Sequence, residues 1–501
     1  MTAAINRRQF VESAVAAGVF TAVPRHVLGG PGRVAPSDKT TLAMIGMGTQ
    51  AIRMIGGVLG DPNVQIVAVC DPNKDSSDYV EWGKNGVRKR IRGYLGQPTW
   101  RENDSGCPGG REIGRQIVDA YYARQRAGEK FKACTTYADF REMLAKEKDL
   151  DAVKVITPDH LHAAISIAAM KAGKHVVMHK PIANRLHEGR RVLETARKAK
   201  VGTHLLAYGA GGGNARICAR VKQGVIGTLR EVHNWTNRPV WPQYTEIPAD
   251  RPAVPKGFDW SLWLGPAADR PYHPHYTHTV YRGWYDFGGG SMADMGYYSL
   301  WPVFTGLDLD PPLSAEAWGT HTCRIADGVS RPVKNDFAYP AACTFRFRFA
   351  ARGDRPAVDL FWYDGGMKPR LPESLEAQGV TMAREGILFV GDEGAILARF
   401  NGSDPQVFAK GKKQPLRTDN ASPAGGGAGS RYSGWVDAFR SGRPSPGSFL
   451  NAGPITDAVN LGTVALRTGR KVLFDSKAVR VTNVSQANKL LRREYREGWE
   501  L

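Results

Sequence analysis

Two stretches of the chain set titratable side chains where they could do chemistry. His179-Lys180-Pro181 places an imidazole and an ammonium side by side, directly after an apolar run. A lysine held at a strand end beside a cofactor can donate to a reacting hydroxyl or activate it electrostatically. Further along, Arg282-Gly283-Trp284-Tyr285-Asp286-Phe287 runs through three glycines into Ser291–Tyr298. The pattern predicts a glycine-rich turn followed by a helix, with Asp294 and Tyr298 four residues apart on one face. A carboxylate and a phenol facing a lysine can shuttle a proton. Taken singly, each group has an ordinary structural role: a solvated lysine, a helix-start acid, a packed aromatic. Together, Lys180, Asp294, Tyr298 and His179 are the candidates for catalysis.

These groups need a frame. Thr41–Ile45 reads as a buried strand, followed by Gly46-Met47-Gly48-Thr49-Gln50-Ala51 and then the apolar-periodic Ile52, Ile55 and Leu59 of a helix. Strand, GxGxxA, helix is a dinucleotide fingerprint. Its glycines permit a tight turn and a close backbone approach to a diphosphate at the helix N-terminus. A second strand, Gln65–Cys70, ends at Asp71, an acid placed to accept from a ribose 2′-hydroxyl and repel a 2′-phosphate. That favours NAD over NADP. Residues 73–132 interrupt the rhythm with a basic, aromatic-bearing insertion, partly helical around Ile113–Gln125. It is too aromatic for a linker. It would either cover the cofactor or supply an oligomer contact.

The α/β alternation then resumes. A helix near Ala138–Lys146 is followed by strand Ala152–Ile156, helix His162–Ala172, strand His175–His179, helix Leu186–Lys198 and strand Gly202–Ala207. Such alternation predicts a parallel sheet with helices on both faces and ligands beyond the strand C-termini. Thr157-Pro158-Asp159-His160-Leu161-His162 and His179-Lys180 occupy two such ends. The expected cofactor contacts are therefore Gly46, Gly48, Thr49, Gln50, Asp71, Thr157, Pro158, His160, His162 and Lys180. After residue 207, strand-like runs at Leu229–Thr236, Thr344–Phe349, Val358–Tyr363, Gly386–Val390 and Ala395–Phe400 predict a second α/β domain with an open, mostly antiparallel sheet. Its outer face would suit an oligomer contact. The domains divide as 37–207, a Rossmann dinucleotide-binding unit with its insertion, and 208–501, a substrate-binding or oligomerisation unit.

The first 36 residues read as an address and linker. Asn6-Arg7-Arg8-Gln9-Phe10 and the short Ala14–Val23 stretch resemble a twin-arginine export signal, which implies a periplasmic protein. No apolar run nears the roughly 20 residues of a membrane span, so membrane insertion is not expected. The net charge of +20 is spread along the chain, with no zinc-finger spacing or RNA-binding signature, so nucleic acid is not an expected partner. The six cysteines form no CxxC pair. His273, His275 and His278 lack a neighbouring carboxylate or cysteine at a recognised spacing, so no metal is expected. Histidine, tyrosine and tryptophan offer donors and a stacking face for a sugar, which makes Arg282, Trp284, Tyr297 and His278 candidate substrate contacts.

From Gly46-Met47-Gly48 through Lys180-Pro181 and Trp284–Gly288 to Arg493-Glu494-Tyr495-Arg496-Glu497-Gly498-Trp499, the chain resembles the glucose-fructose oxidoreductase, inositol dehydrogenase and MocA-like family, its exported branch in particular. The resemblance implies a catalytic lysine at Lys180, completion of the site by Asp294 and Tyr298, and a dimer or tetramer; the export signal implies an NAD that stays tightly bound. His179 stands where the family usually has Glu, and Tyr298 where it usually has His. The implied activity is hydride transfer between the nicotinamide and a sugar or glycoside hydroxyl or keto group. An alternative on the same fold is an NAD-dependent glycosidase or lyase that works by transient oxidation and elimination. A non-catalytic partner subunit is the remaining reading.

Overall fold

The computed structural model describes residues 34–35, 38–126, 133–207, 212–409, 412–416 and 430–501. The twin-arginine segment lies outside the described residues. Strands β1 (Thr40–Ile45), β2 (Val64–Cys70), β5 (Thr135–Tyr137), β6 (Ala152–Val155), β7 (His175–Met178) and β8 (Thr203–Leu205) form one parallel sheet in the order β5-β2-β1-β6-β7-β8. The switch between β1 and β6 opens a crevice at the strand C-termini, where such sheets take ligands. The central strands are apolar because helices cover both faces. Those helices include α1 (Thr49–Leu59), α3 (Arg111–Gln125), α4 (Phe140–Lys146), α5 (His162–Lys171) and α6 (Leu186–Lys198).

The insertion is folded. Strands β3 (Ser76–Tyr79) and β4 (Cys107–Gly109) pair as an antiparallel ribbon, with helix α2 (Gly86–Leu95) between them. The Glu81 carboxylate accepts from Val87 N at 2.7 Å, satisfying an otherwise orphaned donor in the first turn of α2. Val87 and Ile91 are buried with Ile113, Ile117 and Tyr122 of α3, so the insertion shares the core of the α1 side of the sheet.

The second sheet has ten strands, in the order β18 (Lys412–Pro415), β17 (Gln406–Ala409), β16 (Gly394–Arg399), β15 (Gly386–Gly391), β9 (Leu229–Trp235), β14 (Val358–Tyr363), β13 (Cys343–Phe349), β10 (Ser314–Gly319), β19 (Val472–Asp475) and β20 (Arg480–Val481). Only β9 (Leu229–Trp235) and β14 (Val358–Tyr363) pair in parallel among its neighbours; the rest are antiparallel. In β13 (Cys343–Phe349) the alternation is clean. Phe345, Phe347 and Phe349 are buried, while Arg346 and Arg348 face out and reach Asp359 on β14. The inner face packs on helix Gly453–Thr468, where a side chain at Gly462 would stand 2.9 Å from the Phe347 ring. Burying each phenylalanine contributes about 2 kcal/mol.

The division at 207 is not strict. Helix Ser430–Ser441 returns to the first domain, where Trp435 and Phe439 enter the α1-side core and Arg440 donates to Asn63. The sequence boundary missed this because the returning helix is distant in sequence from the core it joins. None of the six cysteines is paired, and no helix among the described residues is long and apolar enough to cross a membrane.

Candidate active site

A single cleft opens over the C-terminal ends of β1, β2 and β6. Gly46, Gly48, Thr49 and Gln50 line its floor. Gly46 has φ +88, and a side chain there would strike the Ile156 carbonyl, so the turn requires glycine. Helix α1 is preceded by the N-cap Gly48, which has no side chain to cap it, so its first N–H groups are left without a side-chain partner. At the end of β2, Asp71 accepts from Met47 N at 2.6 Å and from Asn73 N at 2.8 Å. Burial raises its carboxyl pKa, and these two N–H groups oppose the shift. Asp71, Thr157 and Pro158 line the cleft as expected from sequence. The uncapped helix start, the glycine turn and the carboxylate at the β2 end are the donor and acceptor set that fits a dinucleotide.

The reacting end is assembled by two elements. The loop after β7 carries His179 and Lys180. Opposite it, Met292–Gly296 forms a π-helical turn that continues into helix Tyr297–Gly306. An ordinary helix start was expected there; single π turns recur at functional sites. Lys180 Nζ donates to Asp294 Oδ1 at 2.6 Å, and both side chains are withdrawn from solvent. Arg282 Nε lies 3.4 Å from the same carboxylate oxygen. Burial alone would raise the Asp294 pKa, but Lys180 and Arg282 outweigh it and hold the carboxyl well below its usual range. Burial lowers the Lys180 pKa; Asp294 opposes that shift, and Arg282 adds to it.

The second pair is neutral. His179 Nε2 and the Tyr298 hydroxyl lie 2.8 Å apart. Burial, then Lys180 and Arg282, push the His179 pKa well below its ordinary value, so its imidazole is uncharged near neutral pH. Tyr298 is 39% exposed, whereas Lys180 is 2% exposed. The ammonium of Lys180 sits 5.0 Å from the centre of the Tyr298 ring. The four predicted catalytic residues therefore converge on one spot.

Sequence reasoning missed Asp159. Its Oδ1 accepts from Arg282 Nη1 at 3.3 Å and from the Tyr281 hydroxyl at 3.2 Å, and its Oδ2 accepts from Gly289 N at 3.1 Å. Two cations and two carboxylates thus alternate through the centre. The available signal was an acid at a strand end, one residue before the histidine that was chosen instead.

Other expectations need correction. Trp284 is buried in an aromatic cluster with Tyr276, Phe287 and Phe337, and its Nε1 donates to the His275 carbonyl, so it does not reach the cleft. Tyr297 is fully buried and donates to Thr456. The π turn sends Tyr298, one residue on, toward His179. His160 is not a cleft residue either: its Nε2 contacts the Trp263 carbonyl, and its ring packs between Trp263 and Phe287. His162 bridges the carbonyls of Pro181 and Thr157, so it holds the two strand-end loops together from beneath. Arg282 lines the cleft but is committed to two carboxylates. His278 lines it too, yet faces the insertion, 3.1 Å from Asp78. His273 pairs instead with Asp250, and no metal-binding group of three or more His, Cys, Asp or Glu occurs among the described residues.

Residues 93–205 match the oxidoreductase family's NAD-binding Rossmann fold, and residues 222–346 match the C-terminal alpha/beta domain of the same family. Both matches are to the Gfo/Idh/MocA oxidoreductase family, and together they cover just under half of the chain. The Gfo/Idh/MocA match begins at residue 93, so the roles of Gly46, Gly48 and Asp71 stand on the geometry above. Levoglucosan dehydrogenase from Pseudarthrobacter phenanthrenivorans is 33% identical over 105 residues, which is 21% of this chain and 26% of that protein. A glycosyl hydrolase family 109 protein from Streptomyces filamentosus is 31% identical over 147 residues, 29% of this chain and 22% of that protein. The chain thus spans about a quarter of the length of these curated relatives. The WlbA dehydrogenase of Chromobacterium violaceum, solved with NADH and UDP-GlcNAcA, shares the fold at a TM-score of 0.53 and 15% identity, over 89% of this chain and 98% of that one.

Proposed function

We propose that the protein is an NAD-dependent oxidoreductase acting on a sugar or glycoside at a hydroxyl or keto group. The observation that carries this reading is the convergence of Lys180–Asp294 and His179–Tyr298 at the reacting end of a dinucleotide cleft. When bound, the nicotinamide supplies the hydride acceptor or donor. Lys180, fixed by Asp294, orients the sugar hydroxyl by donating to its oxygen. The Tyr298 oxygen takes the hydroxyl proton and passes its own to Nε2 of the neutral His179. Asp294 and Asp159 offset the charges of Lys180 and Arg282. In the reverse direction the same groups return the proton to a keto oxygen.

A second reading rests on His179 itself. An imidazole lining the cleft beside the oxidising pair is a base that could remove a proton next to a transiently formed ketone, as a glycosidase or lyase of this type requires. One assay separates the two. The protein is mixed with NAD and a panel of sugars and glycosides, with reduced nicotinamide and released sugar followed together. Lasting reduced cofactor without release supports the oxidoreductase; release without net reduction supports elimination.

The proposal extends to the periplasm and to a homo-oligomer. Arg7-Arg8 and the short apolar stretch after them motivate export, tested by fractionating cells with and without Arg7→Lys/Arg8→Lys. Exposed Trp318 and Leu473, beside the outward Arg346 and Phe361 of the second sheet, motivate self-association, tested by sedimentation equilibrium.

A further inference from the structure

The insertion does more than decorate the Rossmann domain. Its strand β3 lies across the start of α1, where the Thr49 hydroxyl donates to the Val80 carbonyl at 2.8 Å. The Tyr79 ring rests directly on Gly48, so that a side chain at that position would meet the ring at 2.7 Å. Gly109 of β4 makes equal room on the other side, at 2.6 Å. Gly48 is the residue whose bare backbone the fingerprint reserves for the diphosphate. Tyr79 and the half-exposed Trp82 line the same cleft as Asp71.

The strand is tied down from the second domain. His278 Nε2 lies 3.1 Å from Asp78 Oδ1, and its ring packs on Tyr79 with centroids 3.8 Å apart. His278 is a non-glycine residue at φ +52, a conformation that persists only where surrounding contacts impose it. The root of the insertion is held by the same domain: Lys74 N donates to the Gly257 carbonyl at 2.9 Å, and Asp259 N to the Pro72 carbonyl at 3.1 Å. The short segment His278–Gly283 therefore carries the insertion's anchor at one end and Arg282 of the reacting centre at the other.

We propose that Asp78, Tyr79 and His278 form a latched gate over the diphosphate end of the cleft, so that the dinucleotide enters and leaves only when Tyr79 lifts from Gly48. This rests on the cofactor reading above. A gate and a simple contact have different kinetic signatures. Removing a contact speeds dissociation alone, since contact energy is expressed in the off-rate. Removing a gate speeds association and dissociation together.

The test is stopped-flow binding and chase of NADH on the full chain, comparing the parent with Asp78→Ala and Tyr79→Ala. Far-UV circular dichroism and thermal midpoint establish that each variant is folded. Amide exchange in Ser76–Tyr79, measured without dinucleotide, reads the latch directly. The expected result is both rates rising about tenfold in Asp78→Ala and Tyr79→Ala, with faster exchange in β3 of Asp78→Ala. Dissociation rising alone, or neither rate changing, would overturn the gate while leaving the cofactor site intact. A parent that binds no NADH would overturn both readings.

Discussion

Lys180 and His179 are neighbours on one loop, and Asp294 and Tyr298 are neighbours on one helical turn, yet the two pairs they form behave oppositely. Lys180–Asp294 is ionic, withdrawn from solvent and tied to Arg282. His179–Tyr298 is neutral, with His179 lining the cleft and Tyr298 exposed. The difference comes from burial and from which charges lie nearby. A charge taken out of water persists only when compensated, and Lys180 has a carboxylate at 2.6 Å. His179 is buried and hemmed in by Lys180 and Arg282, so it stays uncharged near neutral pH. In the proposed mechanism the ionic pair positions the substrate and the neutral pair moves the proton.

The largest effect should follow removal of the ionic pair's cation. Lys180→Met is expected to lower kcat about a thousandfold while NADH binding, measured separately, survives. Asp294→Asn leaves the Lys180 ammonium buried beside Arg282 without its carboxylate. It should lower unfolding free energy by about 3 kcal/mol in denaturant titrations. Tyr298→Phe keeps the ring over Lys180 and removes only the hydroxyl. The expected drop in kcat is about a hundredfold with little change in KM. If Tyr298→Phe left kcat intact, the neutral pair would have no proton role and the contrast would collapse.

His179→Gln sharpens the comparison, because glutamine cannot take up the proton. Activity should fall about tenfold, and the acid limb of kcat/KM that His179 sets should disappear from the pH profile. The smallest effect concerns stability. His204 is buried and lies near Lys154, and the two effects, burial first, lower its pKa to about 4. Below its unfolded value of about 6.5 the unfolded state binds the extra proton. Stability is therefore lost as pH falls from about 6.5 toward 4, by about 1.4 kcal/mol per pH unit. His204→Gln should flatten the slope of the thermal midpoint over that window, while the Lys180–Asp294 pair is unaffected by it.

Much of the cleft floor was legible in the sequence. Strand β1, the glycine turn, α1 and the acid ending β2 follow from local patterns of glycine, apolar period and one carboxylate. Lys180, Asp294 and Tyr298 were legible from spacing and type. What was not legible came from chain segments far apart in sequence. Asp159 meets Arg282 across 123 residues, and Asp78 meets His278 across 200. Nothing local distinguishes Trp284, packed with its indole satisfied by a carbonyl, from a stacking platform for a sugar. The π turn that sends Tyr297 inward and Tyr298 outward is equally silent in a residue pattern suited to an ordinary helix.

In the proposed reaction a carbon-bound hydrogen of a sugar moves to the nicotinamide under the control of Lys180 and Tyr298. The most direct measurement uses a sugar deuterated at the oxidised carbon, NAD and the parent protein, with the mass of the reduced cofactor as readout. The expected result is NADH heavier by one deuterium in the parent, and little reduced cofactor of any mass with Lys180→Met or Tyr298→Phe. Reduced cofactor without deuterium, or undiminished labelling in both variants, would contradict it.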